Sequence, residues 1–147
     1  MSGKRGRPKP WERKRRVSAR ELALQVLVET ESRSAYSDRL LESKLKEAEL
    51  GPEDSRLVTA LVQGSLRRRA TLDHHLAALT RDGFEGLPAW IRGVLRIGAF
   101  QLLYLDRVPK FAVVDESVEL AKKYGHPGTA GLVNAVLRRM ASGERAP

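Results

Sequence analysis

Trp90-Ile91-Arg92-Gly93-Val94-Leu95-Arg96-Ile97-Gly98-Ala99-Phe100-Gln101-Leu102-Leu103-Tyr104-Leu105 is the most apolar stretch of the chain, and its reading decides the fold class. Ile91, Val94, Leu95, Gly98, Leu102 and Leu105 recur at the three- and four-residue spacing of one helical face. Ile97, Phe100, Leu103 and Tyr104 fill most of the opposite side. A helix that is apolar nearly all round belongs in the middle of a domain. Arg92, Arg96 and Gln101 interrupt the run, which argues against a membrane span. Gly93 and Gly98 each cost about 1 kcal/mol against alanine in a helix. Close approach by neighbouring helices would offset that cost.

Working outward, the rest of the chain reads as amphipathic helices around this one. Ser18-Ala19-Arg20-Glu21 has the form of a capping box, with Ser18 as N-cap and Glu21 at N3. The helix it opens turns Leu22, Ala23, Val26 and Leu27 inward and frays near Glu31. A second helix is predicted from Asp38 to Ala48. Leu50-Gly51-Pro52-Glu53-Asp54 stops it and starts a third, with Pro52 at a first helical position and acids in the first turn. Leu72, Leu76 and Leu79 mark a fourth. Past the central helix, Pro109 forces Val108 to be extended. A sixth helix then has Asp115 and Glu116 in its first turn and Gly125 as the residue that closes it. The seventh carries Leu132, Val133, Val136, Leu137 and Met140. Asn134 falls among these and reads as a satisfied core polar group or a backbone tie ahead of a ligand contact. No stretch alternates like a strand, and there is no internal repeat. The expected fold is all-α: one domain of about seven helices, large enough to bury roughly two thirds of its unfolded surface.

Charge sets the arm apart from this body. Residues 1–20 hold nine Lys/Arg and one acidic residue, Glu12, for a net +8. The remaining residues hold 18 Lys/Arg and 17 Asp/Glu, for a net +1. A near-neutral body with a cationic arm points to a polyanion partner. The expected division is a disordered basic arm over residues 1–16, a helical domain over 17–142 and a tail over 143–147. Prolines and glycines without an apolar period cannot pack a core. Within the arm, Arg5-Gly6-Arg7-Pro8 resembles the centre of an AT-hook, which puts arginines into a narrow A·T minor groove. RNA or general phosphate affinity and a solubilising tail are the other readings of the same residues. No apolar segment follows the arm, so it is not a signal peptide.

Other constellations carry less. Arg67-Arg68-Arg69 closes the third helix, where cations suit the dipole; a second phosphate contact is the alternative. Asp73-His74-His75 is not read as a metal or phosphoesterase site, because adjacent helical residues point in different directions. The absence of cysteine excludes disulfides and thiolate metal sites and fits a reducing cytoplasm. No G-x-G-x-x-G, P-loop or nucleophile–base pair is present, and no cofactor, metal or catalytic residue is expected.

Val108-Pro109, then Val113-Val114-Asp115-Glu116-Ser117-Val118-Glu119-Leu120-Ala121-Lys122-Lys123-Tyr124-Gly125, then Leu132-Val133-Asn134-Ala135-Val136-Leu137-Arg138-Arg139 resembles the C-terminal signature of the NusB superfamily. Ser18 to Leu27 is similar to its first helix, and Arg92 to Leu105 to its central one. The resemblance covers Arg13 to Ala141. Two branches are implied. One is the antitermination factors, which bind boxA RNA with a ribosomal protein also called NusE. The other is the N-terminal domain of RsmB-type ribosomal RNA cytosine-5 methyltransferases. Leu61-Val62-Gln63-Gly64-Ser65-Leu66-Arg67-Arg68-Arg69 with Leu72-Asp73, and Gly131 to Arg139, look more like the second. The loop from His126 to Thr129 departs from the usual antitermination-factor pattern. The catalytic part of such methyltransferases needs an S-adenosylmethionine fold and two cysteines. This chain has neither and ends at Pro147, so it is not expected to methylate alone. The resemblance implies a non-catalytic protein that binds single-stranded RNA, either a boxA-like leader or ribosomal RNA. Arg13, Lys14, Arg15, Arg16 and Arg20 would grip phosphates, with Arg67, Arg68 and Arg69 as a second cluster. A NusE-like ribosomal protein is the implied protein partner. No membrane partner is expected, and DNA enters only through the arm.

Overall fold

The computed structural model describes residues 17–125 and 127–147. They form seven α-helices and no strand: α1 (Ala19–Glu29), α2 (Ser37–Ala48), α3 (Pro52–Arg67), α4 (Arg69–Leu79), α5 (Ala89–Tyr104), α6 (Lys110–Tyr124) and α7 (Pro127–Ala141). A short 3-10 turn, Ser34–Tyr36, leads into α2. No helix among the described residues is long and apolar enough to cross a membrane. Arg13 to Arg16, and the arm as a whole, lie outside the described residues.

The central helix sits where its composition puts it. Every residue of α5 from Gly93 to Leu102 is buried, and α5 packs against α1, α3, α4, α6 and α7. The two glycines mark close crossings. A Cβ on Gly93 would lie 2.7 Å from Leu24 Cδ1 of α1, and one on Gly98 would lie 2.6 Å from Leu137 Cδ1 of α7. Both distances are too short for real atoms, so tight helix packing uses up the missing methyl groups. Leu61, Leu72, Leu76, Val133 and Met140 from the flanking helices complete the core. The peripheral α2 buries only Ser37 and Leu41 and rests on α1 and α3.

Local signals set most helix ends. Pro52 opens α3 behind Gly51, as expected. Three expectations are corrected. α6 begins at Lys110, because Pro109 (φ −58°) already has the preset φ of a helix start. Asp115 and Glu116 therefore lie in its second turn. Gly125 closes α6 with φ −147°, outside the left-handed region; its hydrogen is needed because a Cβ would run into the Trp90 ring. Asn134 is half-buried on the wall of a shallow groove between α6 and α7, with Val118 and Ala130, and not in the core.

Candidate nucleic-acid interface

The arm enters the body at the N-terminus of α1. Ser18 caps that helix by accepting a hydrogen bond from the Glu21 N–H (3.1 Å). The second half of the expected capping box is absent. The buried Glu21 carboxylate turns to α6, accepting from the Tyr124 hydroxyl (2.6 Å) and pairing with Lys123 (2.8 Å). Gln25 donates to the same hydroxyl (3.3 Å). Desolvation pushes the Tyr124 phenol above its ordinary value, and the adjacent Glu21 carboxylate adds to the rise. These contacts fix α1 to α6 at the point where residue 17 follows the cationic arm.

Arg20, expected among the phosphate contacts, turns to the body. Its Nε donates to Gln101 Oε1 (2.9 Å), and its guanidinium pairs with Glu116 (2.6 Å). The side chain is only 16% exposed. Gln101 is fully buried in α5 and donates to the Ile97 carbonyl, so Arg20 satisfies its remaining oxygen. This arginine belongs to the fold. Around it, Ser18, Asp115, Glu116, Glu119 and Lys123 line a shallow groove beside the arm's entry point.

The second cluster divides three ways. Arg67 is exposed at the end of α3, and its side chain makes no hydrogen bond or ion pair among the described residues. Arg68 joins α3 to α4, and its guanidinium stacks 4.3 Å over the Tyr104 ring, a cation–π contact. Arg69 pairs loosely with Asp73 (3.8 Å) and donates to the Glu31 carbonyl (3.4 Å). Arg67 and Arg68 present cations to solvent, while Arg69 serves the body.

Sequence reasoning missed the densest charge network. Arg96, 7% exposed at its side chain, forms a two-pronged pair with Asp73 (2.8 and 2.9 Å) and a further bond to Glu31 (2.8 Å). Arg92 pairs with Glu31 (2.5 Å) and donates to the Leu87 carbonyl. Burial works against the Arg96 charge, but its bonds to Asp73 and Glu31 outweigh that, and its pKa rises. The Arg92 hydrogen bond holds the Glu31 carboxyl below its ordinary value of 4.5. The network ties the end of α1 to α4 and α5. It also accounts for Asp73, which is committed to Arg96. His75 accepts from the Ala146 N–H (3.1 Å), so residues after α7 lie against α4. Among the described residues, no group of three or more His, Cys, Asp or Glu is placed to hold a metal.

Comparison with known proteins fits this arrangement. The family model described as the NusB family matches residues 17–142. The chain is 38% identical over 124 residues to a probable ribosomal RNA small subunit methyltransferase B of Bacillus subtilis, covering 84% of this chain and 28% of that protein. It therefore spans under a third of that relative's length. It is 31% identical to the transcription antitermination protein NusB of Syntrophomonas wolfei, covering 85% of this chain and 94% of that protein. The fold is similar to that of T. maritima NusB, with a TM-score of 0.78 at 26% identity over 88% of this chain and 91% of the other. It is also similar to a chain in a crystal structure of antitermination factors NusB and NusE in complex with dsRNA, with a TM-score of 0.75 at 24% identity over 86% of this chain and 95% of the other. With its central buried helix, five helices packed on it and a match across all but the ends, the chain belongs to the NusB family.

Proposed function

We propose that this chain is a non-catalytic RNA-binding protein acting in transcription antitermination of ribosomal RNA operons. One observation carries the reading: a family match over residues 17–142 follows directly on a +7 segment, eight Lys/Arg against Glu12 in residues 1–16. Arg13, Lys14, Arg15 and Arg16 precede α1 in the sequence and would neutralise phosphates of single-stranded RNA, releasing counterions. Arg67 and Arg68 supply a second, weaker contact. A NusE-like ribosomal protein is the protein partner this reading favours, by analogy with the complex whose fold is similar.

A second reading has its own support. Identity to the N-terminal part of methyltransferase B proteins, 38% in Bacillus subtilis, exceeds the 31% to the Syntrophomonas wolfei antitermination protein. In that reading the domain brings ribosomal RNA to a methyltransferase. Sequencing the RNA crosslinked to the protein in cells separates the two. Reads concentrated on boxA-like leader RNA are expected. Reads confined to one ribosomal RNA hairpin would overturn antitermination in favour of the modification role.

A further inference from the structure

We infer that Phe111 and the cations beside it form a stacking platform for an unpaired base, an RNA contact additional to the arm and to Arg67 and Arg68. The inference rests on the RNA-binding reading above. Phe111 lies in the first turn of α6 and is 72% exposed, more so than any other large hydrophobic side chain among the described residues. Burying a phenyl ring fully is worth about 1.5–3 kcal/mol, so this one gives up most of that in the free protein. Three cations and two anions, Asp106 and Asp115, stand around it. Lys110 and Arg138 line the same groove as Phe111, and Arg107 is exposed just ahead of α6. The Lys110 ammonium donates to the Ala141 carbonyl (3.4 Å), which holds it across the groove. An aromatic face flanked by cations suits single-stranded nucleic acid: the base stacks and the cations take the phosphates. An apolar protein patch would not need Lys110 and Arg138 at its rim.

The platform is also next to the arm. Phe111 and Asp115 are four residues apart, so they share one face of α6. Asp115 lines both the Phe111 groove and the groove with Ser18 at the arm's entry. A strand that leaves the Ser18 groove has about one helical turn, roughly 5 Å along α6, to cross between Asp115 and Phe111. Asp115 is an anion in the path of that strand. Replacing its charge should therefore tighten binding.

The test is fluorescence anisotropy with a short fluorescein-labelled, adenine-rich single-stranded RNA, using the full chain. Phe111→Ala should weaken binding at least about fivefold, the low end for one stacked base. The salt slope should stay unchanged, because a phenyl ring neutralises no phosphate. Phe111→Trp should preserve affinity, Phe111→Leu should lose it, and Asp115→Asn should tighten it. Thermal unfolding should stay close to the parent value in each variant, since the Phe111 side chain is mostly exposed. Parental affinity for Phe111→Ala, alongside loss of binding when Arg13 to Arg16 are replaced, would overturn the platform and leave the arm reading intact. Equal affinity of Phe111→Leu and Phe111→Trp would also overturn it, because packing would then be acting in place of stacking. A parent chain that binds no RNA would overturn both readings.

Discussion

Arg20 holds the opening of α1 to the body, between Gln101 at 2.9 Å and Glu116 at 2.6 Å. Removing it would strand the Gln101 oxygen in a fully buried position. An unsatisfied buried polar group costs about 1–3 kcal/mol. Arg20→Ala should thus lower unfolding stability by about that amount in urea titration, and the salt slope of RNA binding should not change. A variant with parental stability and a reduced slope would return Arg20 to the phosphate contacts. The residue's type and place in the first turn were legible in the sequence. Its direction was not, because its partners lie 81 and 96 positions away and no local spacing encodes them.

At the scale of elements, the Glu31–Arg92–Arg96–Asp73 network replaces apolar packing where α1, α4 and α5 meet. Breaking a buried ion pair by removing one partner costs about 3–5 kcal/mol, so Arg96→Met should be among the most destabilising single changes to the domain. Chemical denaturation measures this directly; a change under about 1 kcal/mol would mean the network is replaceable by packing. Glu31 gives the network a pH dependence. Its folded carboxyl binds a proton less readily than the ordinary carboxyl of pKa 4.5. The stability it adds is therefore fully present above 4.5 and is lost as pH falls through the lower folded value. Glu31→Gln should flatten the acid limb of the stability–pH curve.

The same elements show how far sequence reading reaches. The central helix, the crossings at Gly93 and Gly98 and the start of α3 at Pro52 were legible, because each is written in local period or local backbone chemistry. The network was not. Arg92 and Arg96 read only as interruptions of an apolar run. Their partners are 61, 65 and 23 positions away, set by how the helices pack. The start of α6 was misplaced for a related reason: acids suit a first turn, and here Glu116 answers to Arg20 across the fold. At the candidate site, the arginine cluster at 67–69 was legible as a charge run. Its division into Arg67 and Arg68 outward and Arg69 inward depends on Tyr104 and Glu31, which no periodicity brings together.

For the whole molecule, the charge asymmetry is the functional statement. The arm's Arg5-Gly6-Arg7-Pro8 lies outside the described residues, and the family match covers the body alone. Single-stranded RNA should displace A·T-rich duplex DNA from the protein at equal nucleotide concentration. A preference for the duplex that Arg5→Ala with Arg7→Ala abolishes would make the arm a DNA reader.

The most direct test of the central claim is the salt dependence of single-stranded RNA binding, measured on the parent and on a variant with Arg13, Lys14, Arg15 and Arg16 all replaced by alanine. Four phosphate contacts at roughly −0.7 each give a slope of log K against log[salt] near −3. The parent should show that slope, and the variant should lose most of it together with most of its affinity. A variant that matches the parent in both, while Arg67→Ala with Arg68→Ala destroys binding, would move the RNA site to the end of α3 and contradict the account.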